Sequence, residues 1–136
     1  MKWIKDPQYT NTYYITKKFN SYQYNALVIT EETNKSVKYW FQVSSGKKRK
    51  EFEIFEDKEN KSLGGIRALF WLKDAMYDFP KYFSTRRNLG DKKVYICIGW
   101  ADTRRRNIYA RLQKEGFQFM IDDGRKILIK KLNNEL

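Results

Sequence analysis

The sequence predicts a single α/β (α+β) domain spanning residues 1–136, and three observations carry that expectation. A chain of 136 residues is long enough to bury about one core. Aromatic residues make up 17% of it, while only two Pro and seven Gly are present, so the composition builds a packed interior and leaves no linker. The apolar period then changes along the chain, from two in the first part to about 3.6 in the middle.

The first part supplies the strands. "TYYITKKF", "YNALVIT", "VKYWFQV" and "EFEIF" are rich in β-branched and aromatic residues, and polar turn material at 32–36 ("ETNKS") and 44–48 ("SSGKK") divides them. Along 50–55, Phe52 and Ile54 alternate with Glu51 and Glu53, which predicts one buried face and one carboxylate face.

The middle supplies a helix. From Ile66, apolar residues fall on two stripes, at 66, 69, 70, 76 and 77 and at 68, 71, 72, 75 and 79. A helix apolar on two sides is expected to be covered on two sides. Pro80 is the expected stop signal, because the residue before a proline disfavours helical geometry. Residues 86–93 ("RRNLGDKK") read as a solvated connection, and "VYICIGW" as a buried central strand, reached by a helical crossover and so parallel to its predecessor.

The last part predicts a second helix and a hairpin. Asp102 or Thr103 suits an N-cap, and Gly116 suits the left-handed position just past a helix end. Ile108, Tyr109 and Leu112 form a narrow apolar stripe between them. "FQFMI-DDGR-KILIKKL" reads as a hairpin turned by Asp123-Gly124.

Charge and residue inventory bound the function. Twenty-eight Lys and Arg against sixteen Asp and Glu give +12, which draws anions of every kind: nucleic acid, acidic protein or a phosphate-rich cofactor. No His is present, which removes Ser-His and Cys-His nucleophile pairs and imidazole zinc sites. Cys97 is the only cysteine, so an internal disulfide and a cysteine zinc site are excluded, and no metal is expected. Its place in "VYICIGW" predicts a buried, inert thiol. The N-terminus lacks the apolar core of a signal peptide and no apolar run approaches membrane-spanning length, so a soluble, cytoplasmic protein is expected.

From residue 50 to residue 132 the series "EFEIF–EDKENKSLGG–IRALFWLKDAMYDF–VYICIGW–DTRRRNIYARLQKEGF–QFMIDDGRKILIKKL" resembles the GNAT N-acetyltransferase superfamily. Its members run from a strand through a glycine-bearing loop into a long helix, then a buried strand, a second helix ending in Gly-Phe, and a hairpin. The GNAT-like core would cover about 37–132. The resemblance implies a transfer of an acyl group from acetyl-CoA or another acyl-CoA to an amine. It implies that "KSLGGI" offers the amides of Gly64, Gly65 and Ile66 to the CoA pyrophosphate at a helix N-terminus, with Asn107 near the family's asparagine. The bland reading of the Gly-Gly pair is a flexible lead-in turn. Family members often place a proton-donating tyrosine five residues before the Phe of Gly-Phe. Here that position is Leu112, and Tyr109, one turn earlier, is the candidate acid. Glu53, with Glu51 and Glu56 beside it, is the candidate base for the amine; a solvated strand face explains these glutamates equally well.

Two further functions stay open. Short Lys- and Tyr-rich chains of this kind resemble accessory proteins of bacteriophages and mobile elements, which implies an inactive GNAT-like module that binds or inhibits a host protein. Alternatively, basic clusters at Arg86 and Arg87, at Arg104, Arg105 and Arg106, at 47–50 and at Lys130 and Lys131 suit nucleic acid.

Overall fold

A computed structural model describes residues 1–19, 22–46, 53–54, 65–99 and 112–132. The described chain is a mixed α+β arrangement: one mixed sheet carrying a long helix on one face. The strands are β1 (Ile4–Lys5), β2 (Thr12–Phe19), β3 (Tyr22–Glu32), β4 (Ser36–Gly46), β5 (Glu53–Ile54), β6 (Lys93–Gly99), β7 (Gln118–Asp122) and β8 (Arg125–Leu132), with helix α1 (Gly65–Ser84) between β5 and β6. Their order across the sheet is β1-β2-β3-β4-β6-β8-β7, and β5 pairs with β4 off this path. Every pairing is antiparallel except that of β4 with β6.

That exception corrects the expected neighbour of the buried strand. The 50–55 segment was the expected partner of β6, but β4 holds that position, in register from Ser36↔Lys93 to Phe41↔Ile98. Strand β4 alternates Val37, Tyr39 and Phe41, all buried, with outward polar and aromatic residues, and is long enough to pair along both edges. The described part of the 50–55 segment is the two-residue β5, antiparallel to Ser44 and Ser45. Those serines are therefore strand, not turn. The expectation that β6 is central, parallel and apolar agrees with the structure: Ile96, Cys97 and Ile98 are buried between β4 and β8.

The core lies between the sheet and α1. Ala26 and Val28 of β3, Val37, Tyr39 and Phe41 of β4, and Ile96 and Ile98 of β6 share one sheet face. Trp71, Leu72, Ala75, Met76, Phe79 and Phe83 of α1 form the stripe that covers it. Phe70 is 56% exposed, so at that position the expected second covered side is absent.

Pro80 does not stop α1; it lies inside the helix. Its missing N–H and ring clash cost about 3 kcal/mol. Phe79 and Phe83, on either side of it, offset that cost. Phe79 packs against Trp3, Tyr13, Tyr39 and Phe83 at centroid distances of 4.9–5.7 Å. Burial of each ring is worth about 1.5–3 kcal/mol, and ring pairs add about 0.5–1.5 kcal/mol each. The helix ends at Ser84 instead, where Thr85 Oγ1 donates to the Tyr82 carbonyl and the Arg86 and Arg87 amides donate to that of Phe83.

A second helix end follows at residues 112–117. The Phe117 amide donates to the Leu112 carbonyl and the Gly116 amide to that of Gln113, with Gly116 at φ +100°. This is the Schellman pattern, and Leu112 and Phe117 make its apolar contact inside the core. The turn at Asp123-Gly124 has both residues at positive φ, 51° and 78°, as a two-residue hairpin requires. Both glycine expectations hold. No helix among the described residues is long and apolar enough to cross a membrane.

Candidate functional site at the crossover end

Helix α1 runs back along the parallel pair. Its C-terminal end is tied to the start of β4 through Glu32, whose carboxylate takes Arg87 Nε at 2.7 Å and also pairs with Lys92 Nζ. Twenty residues of helix span about 30 Å, so the N-terminus of α1 lies toward the carboxyl ends of β4 and β6. In a strand–helix–strand unit, that end is where ligands are held.

Two features shape this end. The β4–β6 ladder stops at Phe41↔Ile98, while β4 continues to Gly46, and β5 takes the same edge only at Ser44 and Ser45. Gln42 and Val43 fall between the two ladders. The first turn of α1 has no acidic residue and includes Arg67, so that turn brings no carboxylate of its own to the positive end of the helix dipole.

The expected site residues distribute as follows. Gly65 opens α1 and Ile66 follows in its first turn; Glu53 lies on β5, opposite Ser45. Gly65 and Ile66 are thus at the start of α1, and Glu53 is on the short strand that pairs with the far end of β4. Gly64, Tyr109 and Asn107 lie outside the described residues, as do Arg104, Arg105 and Arg106. Leu112 is 1% exposed and closes the helix end against Phe117.

Two arginines expected to face nucleic acid have structural partners. Arg86 Nη1 caps α1 by donating to the Tyr82 carbonyl and Thr85 Oγ1, with its guanidinium 3.9 Å from the Tyr82 ring centroid. Arg87 is held by Glu32. Lys130 and Lys131, adjacent in sequence, lie on opposite sheet faces. Lys130 donates to the Tyr77 hydroxyl on the helix face, at 2.8 Å.

Three of the titratable groups displaced from their ordinary values bear on the site and the core. The hydrogen bonds from Arg87 and then Lys92 hold the Glu32 carboxyl below the usual carboxylate value. Burial pushes the Cys97 thiol up to about 12, which makes it a poor nucleophile and agrees with the expected inert cysteine. Burial, reinforced by the charge of Glu32, raises Tyr39, whose hydroxyl is enclosed without a hydrogen-bond partner.

Comparison with models of known families, with curated proteins and with solved structures returns no match.

Proposed function

We propose that the protein is a GNAT-like N-acyltransferase that moves an acyl group from acyl-CoA to an amine. The observation that carries this reading is the crossover end: a parallel β4–β6 pair whose ladder stops at Phe41↔Ile98, and a helix whose first turn holds no acidic residue. An anionic pyrophosphate is favoured at such a terminus by its unpaired N–H groups and dipole. The order strand, helix, buried strand, Gly-Phe helix end and hairpin supports the same reading.

In this scheme the amides of Gly64, Gly65 and Ile66 hold the pyrophosphate, with Asn107 close by. Glu53 takes the proton from the amine nitrogen, directly or through water, as that nitrogen attacks the thioester carbonyl. The C–N bond forms, the C–S bond breaks, and Tyr109 returns a proton to the CoA thiolate. Acetyl-CoA mixed with small amines and lysine peptides should release free thiol, and Tyr109→Phe should lower the turnover number. An unchanged rate would remove Tyr109 from the chemistry.

One observation favours a second reading, a catalytically inactive GNAT-like module that binds or inhibits a host protein. Leu112, at the position where the family often has its acid, is buried in the core and has a packing role there. Heat on titration with acetyl-CoA, together with no thiol release for any amine, would favour this module over the enzyme.

A further inference from the structure

The sheet face opposite α1 has a chemistry of its own, and it does not depend on the acyl-CoA reading. Among the described residues no helix packs on it. The strand register brings Lys38 of β4, Tyr95 of β6 and Lys131 of β8 into one row, so Tyr95 has a lysine as its neighbour on each adjoining strand. One row further along, Trp40 stands two residues on from Lys38, and the Arg125 guanidinium lies 5.4 Å from its ring centroid. Strand spacing and rise put the Tyr95 and Trp40 backbones about 8 Å apart on the diagonal. Both rings are partly exposed.

A groove of about 840 Å³ runs over this face, with Tyr95, Ile127, Ile129 and Met120 on its floor and Lys35, Lys38 and Lys93 at its rim. The lining also includes Asn34, which carries hydrogen-bonding groups, and the carboxylates of Asp91 and Asp122.

We propose that this face binds single-stranded nucleic acid, with bases stacked on Tyr95 and Trp40 and phosphates held by Lys38, Lys131, Lys93 and Arg125. The charge balance around the rings favours a polyanion: those four cations, with Lys35 at the groove, outnumber Glu31, Asp122 and Asp91. It also opposes pairing with a second copy of the chain, which would bring the same cations together. The ring faces select single strands, because bases of a duplex are already stacked on one another and only unpaired ones can lie on an aromatic platform. The expected arginine clusters pointed to nucleic acid elsewhere; this surface is built from residues they did not include, apart from Lys131.

The test is fluorescence anisotropy of labelled oligothymidine and oligouridine titrated with the full chain at several salt concentrations. Binding should weaken steeply with salt. Lys38→Glu combined with Lys131→Glu should lower affinity by at least about tenfold, and Tyr95→Leu by about tenfold. Lys81→Glu with Lys114→Glu, the same change of charge on exposed residues of the helix side, should stay within about twofold. Circular dichroism of each variant separates lost binding from lost folding. Equal loss in the helix-side control, equal affinity for duplex, or binding to phosphatidylserine vesicles with none to the oligonucleotides would each overturn the proposal.

Discussion

Tyr39 shows how a single side chain in this core has two opposed effects. Its ring meets Phe79 and Phe83 edge-on at 5.2 and 5.5 Å, which favours burial. Its hydroxyl is enclosed without a partner, which costs desolvation that no hydrogen bond returns. Tyr39→Phe keeps the ring contacts and removes the orphaned group. It should stabilise the protein by about 1 kcal/mol in denaturant unfolding; a loss of stability would mean that the hydroxyl has a partner, such as a buried water. Cys97 is simpler, being buried beside β8 and Trp40 in a place its apolar neighbours made legible from the sequence alone.

Elements were legible where a local backbone rule decides them. Gly116 and the Asp123-Gly124 pair need positive φ whatever surrounds them, and each was readable from a few residues. Gly116→Ala tests the first. A Cβ there would meet Lys130 Cε at an ordinary 3.5 Å, so the cost is conformational and not steric crowding. A destabilisation of about 1–2 kcal/mol is expected by thermal unfolding. A neutral result would show that the helix end relaxes without the left-handed residue. Pro80 was misread for the opposite reason: its local preference is real, but the Phe79–Phe83 contacts made by α1 on the sheet outweigh it. Strand β1 was missed because two residues carry no periodicity; Trp3 buries beside them against Phe79 and donates to Asp78 Oδ2 at 2.8 Å.

At the scale of the molecule, what the sequence hid was pairing. Periodicity marks a strand, but nothing local told that 36–46, and not 50–55, would lie beside β6; that choice is made by which strand can be covered along both edges. The basic-aromatic face was hidden in the same way, since Lys38, Tyr95 and Lys131 meet only through register. The crossover end was half legible: Gly65 and Ile66 were placed at a helix start, and they are there. Arg86 and Arg87, read as a solvated pair suited to nucleic acid, also have partners that no local pattern announces: Arg86 closes α1 and Arg87 pairs with Glu32.

That tie has a pH signature. Glu32 joins β3, the residues after α1 and the approach to β6, and its partners hold its folded value below the usual 4.5. The stability it contributes is therefore present above about pH 4.5 and is lost as pH falls through the lowered folded value. Glu32→Gln should be less stable than the parent at pH 7, and the gap should close on acidification. Parallel stability curves down to pH 3 would show that the cluster contributes nothing.

The acyl-CoA reading rests on one property, the affinity of the crossover end for a pyrophosphate-bearing ligand. Isothermal titration of the folded protein with acetyl-CoA measures it directly, with Arg67→Glu, which puts a carboxylate in the first turn of α1, as the paired variant. The account predicts saturable one-to-one binding that weakens with salt and weakens further in the variant. Absence of heat at millimolar acetyl-CoA, or equal affinity in parent and variant, would contradict it.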